Sequence, residues 1–482
     1  MNSTWRTILA AGAVGFIAAL SSVAPASANP DAPPTPDEID AYVQDAVDAS
    51  GLPGVSIVVT YEDTIVRAAG YGHDSNGDAV TADTPMRTAS LSKAFTATAV
   101  MRLVDEGAIA LDEPVTDQLP EFRMADKRYR DITVRHLLNQ TSGLTENPDS
   151  VDIVDLEDAT SLAEMVERLG DDRLSTDPGA DWAYCNVNYD LAARLVEVVS
   201  GLSFDEYMER YLFGPLGMNG SANSDEHVPV ADGHNSVFGV WVSRAERAVS
   251  LNSTGSGSVI TTANDLGRWL ISQGGHDDPL ISDESRSTMQ SSSDVHQYGM
   301  GWGVYETDHG RELVHSGNLY TYNAVAILLP DTGYGIAVMS NGAPIVDDTY
   351  AIGMALAELT RGETPEPLSS DRPLYDLILA ALAVGALILG VLGAVRSRRW
   401  ATRRAGLAWW RVGLRFLPSI GALAFFVAFP DLISLLIRRT ALWDHMTYFA
   451  ASLTYMVAAW ALAGALVLSA RSWALWTGRA AG

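Results

Sequence analysis

Three long apolar runs close the chain, at about Leu377–Val395, Phe416–Ile437 and Met446–Ala470. Each is near the ~20 residues that cross a hydrocarbon core. This end of the chain is therefore expected to lie in a membrane, with the chemistry placed before it. The connection "RSRRWATRRAGLAWWRVGLR" between the first two runs carries seven arginines, whereas "RRTALWDH" after the second carries two. Arginine-rich loops stay in the cytoplasm, which puts residues before 374 on the outer side. The other end agrees: residues 1–28 hold one arginine, an apolar run from Ile8 to Leu20, and the small residues Ala26-Ser27-Ala28. That is the layout of a cleaved secretory signal peptide. An uncleaved anchor is the alternative, against which the run is short for a span. Amphipathic surface helices are the alternative for the C-terminal runs, although the first has no charge over nineteen residues. The expected localisation is the cell membrane, multi-pass, with the remaining domain extracytoplasmic.

Setting both ends aside sharpens the charge. Of 32 Lys+Arg and 59 Asp+Glu, residues 1–28 contain only Arg6, and residues 373–482 contain eleven arginines and three aspartates. Residues 29–372 then hold 20 basic and 56 acidic groups, a net of −36. Such a surface repels phosphates and excludes nucleic acid as a partner. It reads as a solubility feature, or as attraction of cationic substrates. The single cysteine, Cys185, cannot form an internal disulfide, so packing alone must hold the exported domain. The nine histidines show no metal-ligand spacing, and neither a metal nor a cofactor is expected.

The divisions read as a signal peptide (1–28), a Pro-rich linker (29–36), a folded domain (37–362), a second linker (363–373) and a membrane domain (374–482). The membrane helices are placed at about 375–395, 416–437 and 446–470. A helix is predicted over Asp37–Ala49, with Ile39, Tyr42, Val43, Ala46 and Val47 on one face. "GVSIVVTYEDTIVRAAGYG" reads as a β-hairpin turning at Glu62-Asp63. Residues 132–270 read as helix-rich with Gly/Ser/Asn loops. "ELVHSG", "NAVAILLP" and "YGIAVMSN" read as strands, followed by a helix over Asp347–Leu359. The fold class is therefore α+β: an antiparallel sheet assembled from both ends of the domain, flanked by helices, with a helical lobe inserted between.

Only two lysines occur among the 32 basic residues, and one, Lys93, follows Ser90 by three positions in "MRTASLSKAFTATAV". On a helix, residues i and i+3 share a face. A serine hydroxyl is a weak nucleophile until a base takes its proton. A lysine can be that base when burial or a nearby positive charge lowers its pKa, and an arginine cannot. The helix start also offers a free backbone N–H at Ser90 for a developing oxyanion. Alone, S-x-x-K also fits an ordinary helix.

Two further motifs follow in order, Tyr184-Cys185-Asn186 before an apolar helix and His315-Ser316-Gly317 on a late strand. The series S-x-x-K, Y-x-N, H-x-G resembles the class C β-lactamase and D,D-peptidase branch of serine hydrolases, a group that includes esterases. "DITVRHLLNQTSGL", "YLFGPLGM", "GSVITTANDLGRWL" and "YGMGWGV" resemble the group as well, so the likeness covers about residues 37–362.

The resemblance implies that Ser90 is acylated, that Lys93 lowers the barrier to attack, and that Tyr184 acts as base or proton relay. A phenol at its usual pKa is a poor base near pH 7, so this tyrosine needs a neighbouring cation. Asn186 would orient Lys93 or bind a substrate amide. His315 would face a substrate carboxylate or Tyr184, Ser316 would lie along the substrate strand, and Gly317 would let that strand approach closely. The backbone N–H groups of Ser90 and Asn318 would form the oxyanion hole. Cys185 reads as a small packed side chain, and Gln140 as structural. His315 stands where many relatives carry Lys. A histidine is mostly neutral at pH 7, which turns weight from β-lactams toward peptide or ester substrates.

The expected activity is a membrane-tethered serine hydrolase acting on cell-envelope peptides, as a D,D-carboxypeptidase or D-aminopeptidase, with a β-lactamase or carboxylesterase as alternatives. Its expected partners are a small-molecule or peptide substrate with an acyl bond, and the membrane. A different class also stands: a non-catalytic binding or sensor module relaying a signal to the membrane helices. Asp431 inside the second run is a point for it, although an interfacial position explains that residue as well.

Overall fold

A computed structural model describes residues 33–479, apart from 148, 157, 158, 246–253, 278 and 345. The predicted signal peptide lies outside the described residues.

Helix α1 spans Pro36–Ser50, started by Thr35, whose hydroxyl accepts from Glu38 N–H while the Glu38 carboxylate accepts from Thr35 N–H. Such a capping box satisfies two of the orphan donors of a helix start. The hairpin follows as β1 (Gly54–Tyr61) and β2 (Thr64–Gly72). Helix α2 (Ser92–Asp105) and helix α3 (Val187–Ser200) belong to the inserted lobe. Strands β3 (Gly233–Val237) and β4 (Val240–Arg244) pair as a second hairpin, and α4 spans Ala263–Gln273. Strands β5 (Gly303–Thr307), β6 (Gly310–Asn318), β7 (Asn323–Leu329) and β8 (Tyr334–Ser340) complete the domain with α5 (Asp348–Thr360).

Six strands form one antiparallel sheet in the order β2-β1-β8-β7-β6-β5. The first hairpin and the last strands meet at β1 and β8, so the sheet is closed from both ends of the domain with the helical lobe between them. Alternation sorts the side chains. Ile57 and Val59 of β1 pack with Ile39 and Val43 of α1 and Ile352 and Leu356 of α5. Val58, between them, packs on the other face with Phe95 of α2 and Trp269 of α4. Phe95 and Trp269 stack at 4.0 Å, and Trp302 stacks on Trp269 at 5.6 Å.

The β3–β4 hairpin falls inside the stretch read as helical. Its signal, the alternation in "VWVSR", is short, and its two-residue turn Phe238-Gly239 has φ of +52° and +89°. Asn-Gly announces such a turn, whereas Phe in this conformation is held by outside contacts. Phe238 N–H donates to Ser452 Oγ at 2.8 Å, in the C-terminal segment.

That segment starts with α6 (Arg372–Val395) and continues with α7 (Leu417–Val427), α8 (Phe429–Ile437), α9 (Trp443–Phe449) and α10 (Ala451–Arg479). Three stretches, Arg372–Val395, Trp409–Val427 and Ala451–Thr477, are long and apolar enough to cross a membrane. The run expected to cross as a single helix over 416–437 is broken ahead of Pro430, which lacks the N–H that would continue the ladder. Its second half, with Asp431, is the separate helix α8.

Candidate active site

Ser90 is in a 3-10 turn, Ala89–Leu91, rather than in the α-helix that was expected to begin with it. Ala89 has φ of +50°, a left-handed conformation costing a non-glycine residue about 1–3 kcal/mol. The turn is over-determined by its neighbours. Ser92 Oγ donates to Ala89 O at 2.7 Å and accepts from Val259 N–H at 2.9 Å, and Thr88 Oγ1 donates to Val259 O at 2.9 Å. Strand β6 presses on the turn from the other side. A Cβ on Gly317 would meet Thr88 O at 2.1 Å and Ser90 N at 2.9 Å, so only glycine fits there.

Lys93 is fully buried one helical turn on. Its Nζ lies 3.1 Å from Ser90 Oγ, 2.8 Å from Asn186 Oδ1 and 2.8 Å from Ser256 O. Two of these partners only accept, while the Ser90 hydroxyl can donate or accept. A neutral amine has two N–H groups for the two oxygens and one lone pair facing Ser90 Oγ–H, so this geometry can receive the serine proton. Nζ also sits 4.7 Å from the centroid of the half-buried Tyr184 ring.

The Tyr184-Cys185-Asn186 turn is fastened by Gln140 and Glu146, to which no motif assigns a role. Gln140 Oε1 accepts from Cys185 N–H at 3.0 Å and from Asn188 Nδ2 at 2.6 Å. Glu146 Oε1 accepts from Asn186 N–H at 2.5 Å. Cys185 is buried, and burial pushes its thiol well up, so it is a packed side chain. Behind Lys93, Asp190 accepts from Gly255 N–H at 3.0 Å and Ser256 N–H at 3.1 Å, which holds the carbonyl that Lys93 uses. Burial pushes the Asp190 carboxyl well up, against the pull of the Lys93 ammonium.

His315 differs from its expected placement facing Tyr184 or a substrate carboxylate. Its Nδ1 is 2.8 Å from Ser316 O, which can only accept, so Nδ1 carries the proton. Its Nε2 then accepts from Tyr298 Oη–H at 3.2 Å. Both ring nitrogens are occupied, and burial together with Lys93 lowers the imidazole pKa to about 3. Ser316 is half-buried and Asn318 exposed at the strand end. With its carboxamide turned to donate, Asn318 reaches Gly317 O at 3.0 Å and Asp347 Oδ2 at 3.1 Å. Trp182, 6.4 Å from Tyr184 and 5.9 Å from Tyr298, stacks on His296 at 4.1 Å to line one side with aromatic faces.

A serine–lysine pair and a tyrosine, gathered where an antiparallel sheet meets an inserted helical lobe, define a β-lactamase-related fold. The chain belongs to the Beta-lactamase family, whose model matches residues 39–359. Penicillin-binding protein 4 of Amycolatopsis lactamdurans is 30% identical over 353 residues, covering 67% of this chain and 91% of the relative. Protein flp of Staphylococcus aureus (strain N315) is 28% identical over 320 residues, covering 63% of this chain. The match spans 62% of that curated relative's length. Among solved structures, the octameric penicillin-binding protein homologue from Pyrococcus abyssi superposes with a TM-score of 0.59 at 24% identity, covering 71% of this chain and 81% of its own. A D-stereospecific amidohydrolase from Streptomyces sp. gives 0.56 at 22% identity, covering 68% and 98%. These structures share the fold.

Proposed function

We propose that the protein is a serine hydrolase that works through an acyl-enzyme on Ser90 and acts on D-amino-acid-containing peptides of the cell envelope. The observation carrying this reading is the Lys93 geometry: a buried amine 3.1 Å from Ser90 Oγ with its two other directions filled by pure acceptors. In the first half-reaction Ser90 Oγ bonds to the substrate carbonyl carbon and its proton passes to Lys93 Nζ. The oxyanion is held by the N–H groups of Ser90 and Asn318. Collapse breaks the C–N bond, and the proton reaches the leaving amine through Tyr184. In the second half, water attacks the ester carbonyl, gives its proton back along the same route to Ser90 Oγ, and releases the acid.

The His315 ring, buried with both nitrogens engaged, offers no cation to a terminal carboxylate, which supports an internal amide or an ester as substrate. This favours the aminopeptidase-like or amidase-like end of the family over a carboxypeptidase or β-lactamase. The three apolar helices support a membrane tether, and the arginine-rich connection supports an extracytoplasmic site.

The test is the intact mass of the full chain over time with benzylpenicillin, a D-amino-acid amide and a short-chain ester, beside Ser90→Ala. A Ser90-dependent adduct, or turnover of the amide, is expected. If every substrate left the protein unmodified and unturned, the non-catalytic binding module would replace this reading.

A further inference from the structure

The loop between the second and third membrane-length helices reaches the proposed catalytic centre. Arg439 Nε donates to Glu146 Oε2 at 3.0 Å, and its Nη2 donates to the same oxygen. Thr440 N–H donates to Glu146 O at 2.8 Å. Glu146 is buried, and its other oxygen takes the Asn186 N–H. Asn186 Oδ1 in turn accepts from Lys93 Nζ, which touches Ser90. Polar contacts thus link Arg439, Glu146, Asn186, Lys93 and Ser90 in series. The Arg439 guanidinium also lies 5.7 Å from the Tyr184 ring centroid. The same segment meets the opposite side of the cleft, where Tyr320, two residues past Asn318, packs on Tyr448 at 5.1 Å and Phe449 at 5.2 Å.

We propose that Arg439 is a positioning residue of the hydrolase site, so that the catalytic centre is complete only when the membrane segment is docked on it. This rests on the serine-hydrolase reading above. The physical reason is charge. Glu146 is a buried carboxylate paired with a half-buried guanidinium, and removing that partner leaves its own buried charge uncompensated. Without Arg439 the carboxylate no longer has a fixed partner, so its grip on Asn186 N–H loosens, and with it the Asn186 Oδ1 that aligns Lys93 Nζ on Ser90 Oγ. The step that slows is acylation, while substrate binding is left in place. A docking loop with no catalytic part would instead act through stability alone.

The test uses the full chain in detergent and a fluorophosphonate probe, which phosphonylates activated serines, with kinact and KI measured separately. Arg439→Ala is expected to lower kinact about 10- to 100-fold, the size of loss that a small misplacement of a catalytic group causes, with KI unchanged. Arg439→Lys, which keeps the charge but loses the fork, should retain part of the rate. Adding Glu146→Gln to Arg439→Ala removes the orphaned charge and should recover most of the loss. Wild-type kinact in Arg439→Ala, or a double variant as slow as the single one, overturns the inference. Ser90-independent labelling of the wild-type chain overturns the hydrolase reading itself, and the inference with it. Thermal unfolding of each variant separates a folding defect from a slowed step.

Discussion

The proposed catalytic centre and the junction with the apolar C-terminal segment are both buried polar clusters, built from different material. At the centre, Lys93 is surrounded by Ser90, Asn186 and the Ser256 carbonyl. At the junction, Arg372 donates to Ser50 O at 2.7 Å and Ser236 Oγ at 3.2 Å, beside Asp376 at 3.6 Å. Asp376 also accepts from Ser236 Oγ at 2.5 Å and Ser452 Oγ at 2.6 Å. Both clusters bury charged groups among polar partners, so burial does not tell them apart. What differs is proton chemistry. An amine next to a hydroxyl can exchange a proton, whereas a guanidinium cannot and serves as a fastening. The polar groups of the centre are arranged so that a proton can move between them, and those of the junction hold two units together.

Exchanging the cation types breaks this contrast most sharply. Lys93→Arg keeps a long basic side chain and removes the proton acceptor, so Ser90 acylation should fall by about 10²–10⁴, the range general-base catalysis supplies. Single-turnover labelling of the full chain measures this, and an acylation rate within a few-fold of wild type would mean that Lys93 is not the base. At the junction the effect should fall on stability. Arg372→Ala leaves Asp376 buried and unpaired, a loss of about 3–5 kcal/mol for a broken buried pair. Unfolding of the full chain in detergent should show it, together with faster proteolysis in the 361–371 connection. Unchanged stability would mean that the serines alone hold Asp376. Gly317→Ala should cost less, about 1–3 kcal/mol for a forced contact. It also pushes β6 off the Ser90 turn, so acylation should drop at temperatures where the variant is still folded.

The same contrast separates what the sequence discloses from what it hides. Ser90, Lys93, Tyr184 and Asn186 stand at spacings set by short-range geometry, and Lys93 stands out in a chain that otherwise uses arginine. The sheet was legible because short apolar, β-branched runs such as "GVSIVVTY" and "NAVAILLP", bounded by turn residues, read as strands buried on both faces. Glu146 and Arg439 lie 293 residues apart and belong to no periodic pattern, so nothing local links them. The β3–β4 hairpin was hidden because its Phe238 turn is stabilised by Ser452 and not by turn chemistry. The break at Ala428 is marked by Pro430 two residues on, within a run whose hydropathy alone reads as continuous.

His315 gives the finest discrimination between the two kinds of buried polar group, because its pKa of about 3 is a statement about stability. The imidazole is neutral in the folded chain and charges near pH 6.5 when unfolded. Between about pH 6.5 and 3 the unfolded chain binds the extra proton, so this residue's contribution to stability is present at neutral pH and is lost as pH falls through that window. The slope is at most about 1.4 kcal/mol per pH unit for one proton. His315→Gln, which can still donate and accept, should flatten the acid side of a stability–pH curve measured on the full chain. At pH 7 acylation should change little, since neither Ser316 O nor Tyr298 would lose a partner. A variant whose acid slope matches wild type would show that the buried imidazole does not carry this linkage, and would return His315 to the expected place facing a substrate carboxylate or Tyr184.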